Sequence, residues 1–499
     1  MDKRRKQSKT IRKIETNQSP LFLGDEFLWK PVGDIARALP SCCAKNSVRQ
    51  AAESLKASGW SAIVVIDDEG FPAGIVTDSD LCQKVVLEGW SREEAVGTIM
   101  SSPLRYVNCS VTVFEALLSM MRYGIKHLGV FYNSRTLRMV TERDLLLEGI
   151  YSPVLLVHEI QSARETFELK EAYAKLPAMV GRLLSRGALV GQVNEIITAV
   201  NDAVLARVME RTLEQIGPPP VDFAFLLFGS EGRKEQTLKT DQDNGIVYSD
   251  PEAEEASDVN RYFLEMGTLV CDQLHEIGQK YCDFNVMAKN PKWCQPMSQW
   301  EKYYRAWIVG LDPERILYAS IFFDFRLGYG SQELVDELHE ALFAKLEQWP
   351  GLLGHMAQNT FYYRLPIGFF GNFVLRKHGE GQGGLNIKGA MRLLVDFSRI
   401  YALQDGIKET NTAKRLLALY QRQRFKKKEY DNITHAYNFL MIQRLRHQSR
   451  MIEEIGSAAD NFIKPGNLTA IDRQALKASF KQIRIARGKL KKMDFFPYS

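Results

Sequence analysis

Residues 229–244 read GSEGRKEQTLKTDQDN and bring together the side chains best suited to chemistry. The apolar run VDFAFLLF precedes them and NGIVYSD follows. The expected order is strand, Gly-Ser turn, short helix, strand. Gly229 admits a ligand close to the backbone. Ser230 is the candidate N-cap of a helix over EGRKEQTL. Amides at such a helix start attract phosphate oxygens. Arg233 and Lys234 fall in the first turn, where the helix dipole disfavours cations. A bound anion would offset that, and a triphosphate is an apt one. Asp241 and Asp243 are two apart on extended chain, so their carboxylates share a face. They repel unless a cation lies between them. Mg²⁺ suits two carboxylates, taking waters and substrate phosphates as its other ligands. Paired ions there could activate a nucleophile and stabilise a leaving pyrophosphate. The stretch is no P-loop, because GSEGRKEQ lacks the GK[ST] ending. A solvated turn would explain a lone GS or a lone DxD, but not the ordered set.

That set resembles the polymerase-β-type nucleotidyltransferases, whose signature is GS, a helix and D-x-D. Within that superfamily it is similar to the nucleotidyltransferases of bacterial signal-transduction proteins that carry CBS domains, relatives of the protein-PII uridylyltransferase. The resemblance continues in YCDFNVMAKNPKW (281–293), ASIFFDFRLGYG (319–330), GGLNIKGAMRLLVDFSRIYAL (383–403) and TNTAKRLLAL (410–419). It implies that Gly229 and Ser230 hold nucleotide phosphates, with Arg233 and Lys234 assisting. It implies that Asp241 and Asp243 are the catalytic, Mg²⁺-binding pair. A third carboxylate often completes the site, and Asp283 and Asp324 are the candidates. Asp283 stands in YCDFNVM where relatives often have CPGGVM. Asp324 could instead pair with Arg326 in the core.

Stepping outward along the chain, 31–150 contains an internal repeat, each copy ending in T-x-x-D: GIVTDSDL (74–81) and MVTERDLL (139–146). The repeat resembles a tandem pair of CBS domains. That family usually binds adenosine nucleotides between the copies, which implies an AMP- or ATP-type regulatory ligand. Thr77, Asp80, Thr141 and Asp144 match its ribose- and phosphate-binding positions. The second copy has Arg138 where glycine is usual. The plainer alternative is that each Asp only caps a helix. A homodimer through the pair would also follow from the resemblance.

The chain has 499 residues and a formal charge of +5. That is too long for one core and too weakly charged for a dedicated nucleic-acid binder. Seven scattered cysteines without CxxC point to a reduced, cytoplasmic protein. No apolar run reaches the ~18 residues of a membrane span. The start, MDKRRKQSKTIRK, reads as a disordered arm. GPPP at 217–220 ends a helical stretch. The C-terminal region shows helical periodicity, interrupted by HGEGQGGLNIKG (378–389). That loop either joins two helices or closes over nucleotide, with Lys388 on phosphate. Asn372, Arg376 and His378 could line a site beside it. The basic runs RQRFKKKEY and QRLRHQSR read as solvated faces, with an acidic partner or substrate phosphate as the alternative.

The expectation is an α+β multi-domain protein. Its parts are a basic arm (1–30), a tandem CBS pair (31–150), a helical connector (151–220), a nucleotidyltransferase core (221–330) and a helical C-terminal domain (331–499). It would move a nucleoside monophosphate from an NTP to an acceptor, protein or small molecule. A non-enzymatic nucleotide-sensing scaffold is the competing class.

Overall fold

The computed structural model describes residues 30–133, 136–145, 153–239, 241–310, 313–349, 351–368, 372–375, 383–455 and 459–491. The basic arm, Arg376 and His378 lie outside them. The chain forms two compact units, 1–150 and 151–499. Among the described residues no helix is long and apolar enough to cross a membrane.

The first unit repeats one pattern twice. Strands β1 (Ser41–Cys43), β2 (Ala62–Ile66) and β3 (Pro72–Thr77) form one sheet. Strands β4 (Tyr106–Asn108), β5 (His127–Asn133) and β6 (Thr136–Thr141) form the other. In each, the first pair is parallel and the hairpin antiparallel. A crossover helix links the parallel strands, Val48–Ser58 in one copy and Val113–Tyr123 in the other. Ser47 and Thr112 open these helices with full capping boxes, and Gly59 and Gly124 end them in left-handed conformation.

In the second unit, β7 (Phe223–Phe228), β8 (Asn244–Tyr248), β9 (Cys294–Pro296) and β10 (Phe325–Gly330) form a sheet in the order β10-β7-β8-β9. Every residue of β7 and β8 is buried, because helices and aromatic side chains cover both faces. Trp293, Trp300 and Phe322 pack together on one side. On the other, the helix Val190–Ile216 buries Val193, Ile197, Val200 and Val204. The helices between Pro153 and Ile216 belong to this second unit. Asn194 of the helix Val190–Ile216 donates to the Gln236 carbonyl at 2.7 Å, which fixes the segment after the Gly-Ser turn.

The C-terminal helices Ile387–Gln404, Lys427–Ile455 and Ala470–Leu490 pack against one another. The strand β11 (Leu385–Asn386) precedes the first and pairs with β12 (Phe462–Ile463), which follows the second. Asn386 caps the first by accepting from the Gly389 amide at 2.8 Å.

Candidate active site

The chain leaves β7 through Gly229, whose φ of +57° is left-handed. A single helical turn, Gly229–Gly232, follows. It differs from the expected helix in two ways. Phe228 occupies the N-cap position and no side chain caps it, so Ser230 lies inside the turn. Lys234 then adopts φ +56° and ends the helix. Gly232 is sterically required, since a Cβ there would lie 2.0 Å from the Asp324 carbonyl oxygen.

Asp241 and Asp243 return on the way into β8. The Phe228 amide donates to the Asp243 carbonyl at 2.8 Å. Gln242 between them is buried, donating to the Cys271 and Gln279 carbonyls at 3.0 and 3.1 Å. This alternation turns both aspartates to the opposite side, where they line one cavity of about 450 Å³ with Gly229, Ser230 and Arg233. A Cβ on Gly229 would meet Asp243 Oδ2 at 3.1 Å, so the carboxylate lies directly against the glycine turn. Burial, partly offset by a Cys282 hydrogen bond and the charge of Lys388, pushes the Asp243 carboxyl up to about 6. Glu231 is buried behind it, raised to about 8 by burial and then by the Asp243 charge.

Lys234 is exposed and is not part of this wall. Asp283 is: it stands on the exposed rim after Cys282. In that loop Asn285 takes φ +55°, a conformation asparagine tolerates. No three His, Cys, Asp or Glu side chains among the described residues are close enough to share a metal. Asp241 and Asp243 alone fit Mg²⁺, which usually takes one or two carboxylates with phosphates and waters.

Asp324 is not brought into this set. It is fully buried, with Oδ2 2.9 Å from Arg233 Nη1 and 2.6 Å from Arg399 Nη2. Oδ1 lies 2.7 Å from Arg415 Nη2. Burial alone would raise this carboxyl, but Arg399, Arg415 and Arg233 outweigh it and hold it well below the usual range. Arg326 pairs instead with Asp202, at 2.6 Å. Arg233 is committed to Asp324 and, at 2.8 Å, to Glu235. Its early-helix charge is therefore offset by protein carboxylates, with no bound anion needed.

The opposite wall comes from the C-terminal helices. Lys388, Arg392 and Arg399 stand on Ile387–Gln404, and Arg444 on Lys427–Ile455. Arg444 was not singled out in the sequence, because QRLRHQSR reads as a solvated face. It is 6% exposed and donates to Asn461 Oδ1 at 2.7 Å. Asn372 is exposed and is not part of the cavity wall.

In the first unit, both T-x-x-D pairs close helix caps. Thr77 Oγ1 donates to Asp80 Oδ2 at 2.7 Å, and Thr141 Oγ1 to Asp144 Oδ2 at 2.7 Å. Their surroundings differ. Asp80 Oδ1 accepts from Ser101 at 3.0 Å, whereas Asp144 is ion-paired with Arg37. A cleft of about 720 Å³ includes Arg37, Trp60, Lys126, His127, Thr141 and Asp144. Arg37 lies over the Trp60 ring at 4.8 Å. Arg138 lies outside this lining, its guanidinium 4.9 Å over Tyr132.

Comparison with known proteins agrees with this division. Residues 174–314 match the family described as "Putative nucleotidyltransferase DUF294". Residues 350–493 match its "Putative nucleotidyltransferase substrate binding domain". Residues 32–87 and 96–150 match the CBS domain. The uncharacterized protein MK0525 of Methanopyrus kandleri is 28% identical over 138 residues, 27% of this chain and 70% of that protein. A conserved protein from Pyrococcus horikoshii is 26% identical, covering 24% of this chain and 91% of its own, with a TM-score of 0.23. The CBS domain protein PAE2072 from Pyrobaculum aerophilum, solved with AMP, is 21% identical, covering 26% of this chain and 97% of its own, with a TM-score of 0.22. With a tandem CBS pair, the nucleotidyltransferase domain and its substrate-binding domain in one polypeptide, the chain belongs to the DUF294 family.

Proposed function

We propose that this protein transfers a nucleoside monophosphate from an NTP to an acceptor, in the manner of the protein-PII uridylyltransferase. The observation that carries the reading is the contact between the Asp243 carboxylate and the Gly229 turn, with Asp241 in the same cavity wall. A glycine turn that brings backbone close to a ligand is thereby set against a carboxylate pair that forms no ion pair among the described residues. Asp241 and Asp243 would hold Mg²⁺, which neutralises phosphate oxygens and stabilises departing pyrophosphate. Gly229 leaves room for the phosphates, and Ser230 orients them. Asp324 keeps Arg233 and Arg399 fixed, so the cavity wall does not reorganise during transfer. Most of the rate gain would come from positioning and charge stabilisation.

The experiment is incubation with each of the four labelled NTPs, Mg²⁺ and cell lysate. Label should reach an acceptor with the wild type and be absent with Asp241→Asn or Asp243→Asn. Equal labelling by those variants would end the reading. Whether label rides on protein or on a small metabolite identifies the acceptor class.

The CBS pair would regulate this activity by binding an adenine nucleotide. Arg37 and Lys126 supply cations for its phosphate, Trp60 an aromatic face and Asp144 a carboxylate for ribose hydroxyls. Calorimetry of the full chain with AMP tests it. Binding should be weakened by Arg37→Gln, and no measurable heat removes the regulatory reading.

A further inference from the structure

The transferase cavity carries five cationic side chains: Arg233, Lys388, Arg392, Arg399 and Arg444. Three have carboxylate partners. Arg233 is bound by Glu235 and Asp324, Arg399 by Asp324 and Asp396, and Arg392 lies 3.5 Å from Asp396. Lys388 and Arg444 form no ion pair among the described residues. The Arg444 partner, Asn461, is neutral. Burial and then the charge of Arg444 hold Lys388 below its ordinary range, and burial brings Arg444 down to about 10. Two cations and two carboxylates therefore share this cavity with no ion pair among the described residues, although Lys388 lies near enough for its charge to act on Asp241 and Asp243.

We propose that Lys388 and Arg444 form a clamp for the two phosphates that leave as pyrophosphate. On this inference the helical half of the cavity grips the nucleotide's polyphosphate. It rests on the transferase reading above. An NTP triphosphate carries about four negative charges, more than one Mg²⁺ shared with two carboxylates offsets, so cations from the protein are called for. In the transfer step the acceptor oxygen bonds to the α-phosphorus. The bond from that phosphorus to the β-phosphate oxygen breaks, pyrophosphate takes the electron pair, and the acceptor proton goes to solvent. Charge thus builds on the β-phosphate oxygens, where cations act best. The flat fork of Arg444 can take two oxygens at once, and Lys388 acts as a point charge.

The test is calorimetric titration of the full chain with Mg²⁺ and tripolyphosphate, a probe that carries no base. Only heat lost in Asp241→Asn is assigned to this cavity. Lys388→Met and Arg444→Met should each weaken that binding at least 10-fold, and Arg444→Lys should recover part of it. Lys302→Met removes an exposed charge outside the cavity and should change binding less than twofold. If Arg444→Met fails to fold, Lys388→Met decides alone. Wild-type affinity in Lys388→Met, or in a folded Arg444→Met, overturns the clamp and leaves the transferase reading standing. No binding by the wild type overturns both.

Discussion

Asp243 and Asp324 are the same residue type in the same unit, Asp324 fully and Asp243 partly withdrawn from water, and their surroundings treat them oppositely. Asp324 meets three arginines and stays ionised. Asp243 meets a glycine turn, a thiol and another aspartate nearby, and burial outweighs the Cys282 hydrogen bond and the charges of Lys388 and Arg233, so its carboxyl is pushed up to about 6. A buried carboxylate that the protein itself satisfies is part of the framework. One whose burial outweighs the cations around it is at an energetic disadvantage until a ligand supplies more, which is the signature of a site. The pair separates scaffold from candidate machinery more sharply than spacing in the sequence does.

The largest expected effect is on the scaffold side. Asp324→Asn leaves Arg233, Arg399 and Arg415 crowded around a neutral group. It should cost about 3–5 kcal/mol of stability, as loss of one partner from a buried ion cluster does. Thermal or urea unfolding measures it, and a loss below about 1 kcal/mol would deny Asp324 its structural role. Asp243→Asn should go the other way. Removing a charge that its surroundings disfavour on balance should stabilise the ligand-free protein by about 1–3 kcal/mol near neutral pH, even as it abolishes transfer. If it destabilises the protein as Asp324→Asn does, the contrast fails.

The two should also differ in pH dependence. The folded Asp243 pKa is raised, so its contribution to stability is fully present below the unfolded value of about 4 and is lost as pH rises through about 6. The advantage of Asp243→Asn should therefore grow between about pH 4 and 6 and then level off. The folded Asp324 pKa is lowered, so its contribution is present above about 4 and is lost as pH falls below that. The deficit of Asp324→Asn should be flat near neutrality and shrink in acid. Urea melts of both variants and the wild type across this range would show the two trends, or one common trend that refutes them.

How much of this could be read from the sequence follows from the distance over which each feature is determined. Strand, turn and strand around 229–244 are local, and glycine with alternating apolar residues announces them. The CBS pair is legible because each copy repeats its own caps and hairpin. The role of Asp324 is not, because one of its arginines comes from 91 positions before it and the other two, Arg399 and Arg415, from 75 or more after it. Nor is Arg444, since a basic run on a helix looks the same whether solvent or a cavity faces it. The helix after Gly229 is shorter than its sequence suggests for a related reason. EGRKEQTL has helical propensity, but Glu235 is drawn to Arg233 and to the Thr412 amide at 2.5 Å, and the chain breaks at Lys234 to let it reach them.

The smallest expected effect tests where the boundary of the site lies. Asp283 shares the cavity wall with Asp241 and Asp243, yet it sits on an exposed rim and joins no three-carboxylate cluster. Solvent around it already screens its charge, so neutralising it changes little. Asp283→Asn should leave stability within about 0.5 kcal/mol of wild type, as surface substitutions do. On the same argument, labelled transfer should fall less than about twofold. A fall comparable to that of Asp241→Asn would mean that the loop moves Asp283 inward when nucleotide binds. The contrast drawn from Asp243 would then extend to a carboxylate that only the liganded state recruits. Transfer rates of the two variants, measured side by side at saturating NTP, decide between a two-carboxylate site and a three-carboxylate one.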